Sequence, residues 1–272
     1  MLTAEAPNNP LASNAYEKQL AVVEIDGWST MTFGSRRLGM MNIELLSDPC
    51  VGELRIGSSE AISGATLPII IHQFFQKYPR VSLEVDDIAL APFSFASKLR
   101  ERSLDLVLYQ AGRTLAGDGP IDDFNVEKLF YDQLVVAVGT KSRWAHRCKI
   151  DLAELVDEQW ILASPDSWNY RIVAEAFRAR GIEMPRICLK TLSVALRANL
   201  IATGQYIAAI PNLVVHSYAD RFSIKILPLE LPFGRWPVAI ITLKNRTLSP
   251  AAERFIECAR NVAKSLPTLP RS

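Results

Sequence analysis

Between Val51 and Leu243, short apolar runs of strand length alternate with segments of helical spacing, and this alternation restricts the chain to layered α/β architectures. Leu54 to Ile56 reads as a strand. Leu67, Ile70, Ile71, Phe74, Phe75 and Tyr78 then follow a helical stripe, which the "YP" at 78–79 stops. Val81, Leu83 and Val85 alternate as a strand does, Phe95 and Leu99 lie on a helix, and "LDLVL" (104–108) suits a buried parallel strand. The pattern continues through "QLVVAV" (133–138), a short helix at "DLAEL" (151–155), "QWILA" (159–163) and a helix near Ser167 to Arg180. It goes on through "ICLKT" (187–191), a helix near Ser193 to Thr203, and "QYIAAI" (205–210). Two late runs, "IKILPL" and "PVAIITL", read as strands, and Ser249 with Pro250 opens a final helix whose buried face is Phe255, Ile256, Ala259 and Val262.

Repeated βα units predict parallel sheets with helices on both faces, and 272 residues exceed what a single core usually holds. The expected arrangement is therefore two α/β lobes. One comprises residues 51–133 completed by 243–266, and the other comprises 134–242, with a tail at 267–272. Residues 1–31, with weak periodicity, predict a loosely packed or disordered arm. "MTFGSRRLGMMNIELL" (31–46) tolerates a helix despite Gly34 and Gly39, and "SDP" ends it. A ligand of such a fold sits outside the carboxyl ends of the strands.

Composition narrows the function. A formal charge of +1 with 22% charged residues does not demand a nucleic-acid partner, which normally leaves a basic stripe or a strongly basic domain. Cys50, Cys148, Cys188 and Cys258 form no CxxC pair, so the expectation is reduced thiols in a cytoplasmic protein. The N-terminus lacks the basic start and apolar core of a secretory signal, and no apolar run approaches the ~18 residues of a membrane span.

One stretch, "GELRIGSSEAISGATLP" (52–68), imitates several motifs. It fails as a phosphate-binding loop because six residues separate Gly57 from Gly64 and no Gly-Lys-Ser/Thr follows. With no G-x-S-x-G, it also fails as a nucleophile turn. What remains is a strand-to-helix turn whose Ser58, Ser59 and Ser63 either grip an acidic or hydroxylated small molecule or merely cap a helix. Glu60 puts a carboxylate in the same turn, and that opposes an anionic ligand unless it points away. "ASPDSW" (163–168) and "TLS" (191–193) repeat the hydroxyl pattern at two more strand ends.

Nucleophilic catalysis needs a base, but His72, His146 and His216 are tied to no serine turn and read as core or surface residues. No His/Cys/Asp cluster has metal-ligand spacing, so neither a metal nor another cofactor is expected. The basic run "KSRWAHRCK" (141–149) reads as a solvated loop, and Arg36 and Arg37 are too few for a DNA-binding arm.

"GELRIG" (52–57), "LP" (67–68), "FFQKYPRVSLEV" (74–85), "LRERSLDLVL" (99–108) and "RTLSPAAERFIE" (246–257), taken as a set, resemble the effector-binding domain of LysR-type transcriptional regulators. The resemblance spans about residues 48–266. It implies an α/β fold of the two-lobed type 2 periplasmic-binding-protein kind, with a small effector in the cleft between two subdomains and no catalytic chemistry. The cleft positions it implies are Ser58, Ser59, Ala61 and Ser63 after the first strand, and the segment near Ala91 to Phe93, including Pro92. Tyr109 and Gln110 follow at the end of "LDLVL", and Ser164, Ser167, Thr191 and Ser193 come from the second lobe.

Family members often carry glycine or arginine where Tyr109 and Gln110 stand, a departure that leaves the ligand class open between carboxylate and aromatic metabolites. Such regulators begin with a winged helix-turn-helix and a dimerisation helix. Here only residues 32–50 are similar to the end of that linker helix, so the DNA-reading module is expected to be missing or supplied elsewhere. Expected partners are the effector and a second copy or another regulator chain, with no membrane. The rival readings are a free-standing solute-binding protein of the same fold and a serine-dependent enzyme.

Overall fold

The computed structural model describes residues 51–88, 95–110, 121–229, 231 and 234–266. Through the first half the elements are β1 (Val51–Ser58), α1 (Glu60–Ala65), α2 (Leu67–Lys77), β2 (Arg80–Asp87), α3 (Ala96–Arg100), β3 (Leu106–Gln110) and β4 (Phe124–Asp132). The second half adds β5 (Leu134–Gly139), β6 (Trp160–Leu162), α4 (Trp168–Arg178), β7 (Ile187–Lys190), α5 (Val194–Ala202), β8 (Ile207–Pro211), α6 (Asn212–Phe222) and β9 (Ile224–Ile226). The chain then passes to β10 (Trp236–Leu243) and α7 (Pro250–Ser265).

The strands form two sheets of five, ordered β2-β1-β3-β10-β4 and β7-β6-β8-β5-β9. The alternation of β1 sends Leu54 and Ile56 inward, under α2 and α7. Those two helices meet through an edge-to-face contact of Phe74 with Phe255, their ring centroids 5.4 Å apart. On the other face of the sheet, Phe95 and Leu99 of the α3 turn pack with Val107, Tyr109 and Ile241. In the second lobe Trp160 is the largest fully buried side chain; its ring N–H donates to the Leu155 carbonyl at 2.8 Å and its face meets the edge of Phe177.

Both sheets are mixed rather than parallel. β1 runs parallel to β2 and β3, but β10 is antiparallel to β3 and β4; β5 likewise opposes β8 and β9. An apolar run buried on both faces carries no sign of its direction, which is why the sequence pattern alone implies parallel pairing. The boundary at 242 also moves. β10, assigned from the sequence to the second lobe, pairs in the first sheet, so the return crossover precedes Trp236. The outward crossover is a single residue, Gln133, between β4 and β5. The two crossings lie together, since Trp236 pairs with Asp132.

Gly139 closes β5 against the end of α5. A Cβ there would stand 2.3 Å from the Ile201 carbonyl oxygen and 3.1 Å from the Ala202 Cα, both backbone atoms that cannot rotate away. Gly139→Ala is expected to cost about 3 kcal/mol, at the upper end of overpacking losses. Urea unfolding with an unchanged m-value checks this, and a change within about 0.5 kcal/mol would remove the close approach as a constraint.

Candidate functional site

Ser58, the last residue of β1, and Ser59, which leads into α1, are fully buried. The Ser58 hydroxyl donates to the Ser59 carbonyl at 3.4 Å, and that carbonyl also accepts the amides of Ile62 and Ser63, both at 2.9 Å, to start α1. The Ser59 hydroxyl caps nothing and has no hydrogen-bond partner. The other serine turns behave differently. Ser167 Oγ accepts from the Tyr170 amide at 3.2 Å and donates to the Ser164 carbonyl, and Ser193 Oγ accepts from the Leu196 amide at 3.3 Å. Thr191 Oγ1 accepts from the Ser193 amide at 3.1 Å. Capping therefore accounts for Ser167 and Ser193 but not for Ser59.

The remaining first-lobe candidates divide. Ala61 is buried, and Ser63 makes a long contact of 3.5 Å with Asp87. Tyr109 packs edge-to-face on Phe95, with centroids 5.1 Å apart, and burial pushes its phenol up, so it is a core residue of the α3 face. Successive strand residues face opposite ways. Gln110 thus shares the Leu108 face, where it is buried with its Nε2 lacking a partner. Pro92 and Phe93 lie outside the described residues.

Glu60 links the lobes. From the first turn of α1, its Oε1 accepts the amide of Val194, the first residue of α5 in the second lobe. Burial pushes its carboxyl up, against the lowering effects of the Val194 amide, the Arg197 charge and the Ser193 hydroxyl. Its Oε2 is buried and has no partner.

Arg197, 2% exposed, donates to the carbonyls of Ala209 at 3.1 Å and Leu192 at 3.2 Å. Its Nε has no partner. Burial pushes its guanidinium down to about 10, while Glu60 acts in the opposite direction. A lone Arg inside a helix gives no sequence sign of this role, so Arg197 escapes a motif-based reading.

Asp132, at the crossover, escapes it too. Its Oδ1 accepts the Leu213 amide at 3.1 Å, and the amides of Gln133 and Asn212 also reach the carboxylate, so it caps α6 from another lobe. Burial dominates and pushes its carboxyl up to about 7. A cavity of about 60 Å³ beside it is lined by Ile69, Phe130, Leu213 and His216 among others, which gives room for a few waters rather than a metabolite.

His72, His146 and His216 are exposed on separate elements. The basic run is compensated locally. Arg143 pairs with Glu158 and Arg147 with Glu154, and both guanidinium groups lie over the Trp144 ring. Among the described residues no group of three His, Cys, Asp or Glu is placed to hold a metal, and no helix is long and apolar enough to cross a membrane.

A family profile for the LysR substrate binding domain matches residues 48–264. The chain belongs to this family. This LysR-family chain is 25% identical over 215 residues to the transcriptional dual regulator GltC of Bacillus subtilis, covering 77% of this chain and 67% of that one. It thus spans about two thirds of that relative's length. Among solved structures, the effector binding domain of QuiR in complex with shikimate superposes with a TM-score of 0.61 at 20% identity, covering 80% of this chain and all of that one. The regulatory domain of Synechocystis PCC6803 CcmR in complex with 2-PG gives a TM-score of 0.63 at 20% identity, covering 80% of this chain and 100% of the other. At that identity these two establish the fold, the two-lobed type 2 periplasmic-binding-protein kind. The LysR-family chain is an effector-binding domain of transcriptional regulators by its family membership.

Proposed function

We propose that this effector-binding domain senses a small metabolite at the carboxyl ends of β1 and β3, facing the start of α5, and does so without chemistry. The observation that supports this is a set of buried hydrogen-bonding atoms with no partner: Ser59 Oγ, Gln110 Nε2, Glu60 Oε2 and Arg197 Nε. Buried polar atoms left unpaired cost free energy, so several of them on neighbouring elements support a reading in which a further molecule pairs with them. The small molecules bound by the QuiR and CcmR domains are consistent with that size class.

Ser58, Ser63, Thr191 and Ser164 complete the proposed cleft wall. Tyr109, Ser167 and Ser193 support it through packing and capping. A ligand that prefers one lobe arrangement shifts the population towards it, and a second copy or another regulator chain in the cytoplasm receives the signal. DNA is reached through a helix-turn-helix.

Thermal unfolding against a panel of metabolites tests the reading. A cleft ligand should stabilise in proportion to the logarithm of its concentration over its dissociation constant. Gln110→Leu, which deletes a donor but keeps the bulk, should weaken that ligand about fivefold to tenfold. A ligand that stabilises the wild type and both Gln110→Leu and Ser59→Ala equally lies elsewhere, and turnover of any panel member would overturn the non-catalytic assignment.

A further inference from the structure

We infer that Glu60 sets the charge selectivity of the cleft: its effector is an organic ammonium compound with an apolar body, and simple carboxylates are refused. This rests on the cleft-sensing reading and narrows it to a ligand class. The start of α5 has what an anion seeks, a backbone amide at a helix N-terminus with the buried Arg197 guanidinium one turn on. Both are already engaged from inside the protein. Glu60 Oε1 takes the Val194 amide, and the Glu60 charge faces Arg197. An incoming carboxylate meets a resident carboxylate in a water-poor site, where like charges repel far more strongly than in bulk water.

What the cleft leaves unserved includes a charged acceptor as well as donors. Glu60 Oε2 is a buried acceptor with no donor, and an ammonium N–H supplies a charge-assisted bond to it. Ser59 Oγ, on the adjacent residue, can also accept. Gln110 Nε2 and Arg197 Nε are donors awaiting acceptors such as a carbonyl or hydroxyl elsewhere on the same ligand. Leu192 and Leu196, 40% and 43% exposed, flank Ser193 and Val194 in the chain and leave apolar surface at the start of α5. An amine with an apolar body and a neutral carbonyl or hydroxyl satisfies acceptors and donors together, whereas a small dianion satisfies none of the acceptors.

Phenethylammonium and 3-phenylpropionate are matched probes that differ mainly in the charge of the head. Amide resonances of Ser59 and Val194, followed by NMR during titration of the intact chain, report occupancy at the two sides of the cleft. In the wild type the ammonium should bind about tenfold or more tightly than the carboxylate. Glu60→Ala, which empties the end of α5, should reverse the order. Glu60→Gln, which keeps the shape and loses the charge, should abolish the preference.

Equal responses to the two probes in the wild type, including none to either, overturn the inference, as does an unchanged order in Glu60→Ala. A Val194 amide whose resonance is the same in wild type and Glu60→Ala removes the interlobe contact itself. None of these outcomes bears on the broader reading, which stands or falls on stabilisation by the metabolite panel and its loss in Gln110→Leu.

Discussion

Stability should fall as the pH rises from about 4 to about 7, and Asp132→Asn should flatten that slope. The folded carboxyl titrates at about 7 rather than at its ordinary 3.8, because burial at the crossover outweighs the three amides that favour its charged form. A raised carboxyl binds its proton more tightly when folded than when unfolded. The resulting stability is complete below about pH 4 and is lost as the pH passes through about 7. A shift of this size is worth at most about 4 kcal/mol, and local relaxation or water entry from the neighbouring cavity reduces it. Glu127, held below the usual carboxylate range by its bidentate pair with Arg260, works in the opposite direction, but that pair is half exposed and worth little. Urea midpoints measured from pH 4 to 8 on wild type and Asp132→Asn decide the matter. Asparagine keeps an acceptor for the Leu213 amide yet cannot ionise, so parallel profiles would sink the assignment to Asp132.

Arg197→Met should destabilise by about 2–5 kcal/mol, since it leaves two backbone carbonyls without donors at about 1–3 kcal/mol each. Methionine fills similar space but leaves the Ala209 and Leu192 carbonyls without donors and the Glu60 carboxylate without its cation. The loss should be partly recovered in Arg197→Met combined with Glu60→Gln, since the second change removes the stranded charge. A coupling of about 1 kcal/mol or more from the double-mutant cycle is the expected signature. Additive effects would mean that the two groups, 137 positions apart in number, do not sense each other across the lobes.

What the sequence made legible follows from the range of each interaction. Strands such as β1 and β8, and the stripe of α2, announce themselves because burial imposes a local period on residues a few positions apart. β4 is missed because it lies half in solvent, with Glu127 and Lys128 interrupting its apolar positions. The serine turns look alike in spelling, yet only geometry separates the capping hydroxyls of Ser167 and Ser193 from the idle one of Ser59. Glu60 was visible as a carboxylate in the wrong place for an anion. Its partner Val194 was not, since they lie 134 positions apart and no local pattern encodes that contact. Asp132 sits in "YDQ", where no local pattern marks it before the fold buries it.

The pairing of β10 into the first sheet bears on the order in which the molecule assembles during synthesis. Every strand of the second sheet lies between Leu134 and Ile226, so that sheet is complete in the nascent chain before β10 emerges. The first sheet cannot close then, because its centre waits for Val238 to meet Gln110 and for Phe255 to cover Phe74. The lobe translated first is therefore the one finished last. Until the final helix leaves the ribosome, Leu54, Ile56 and Phe74 stay without their cover, and that interval is when a chaperone has the most to hold.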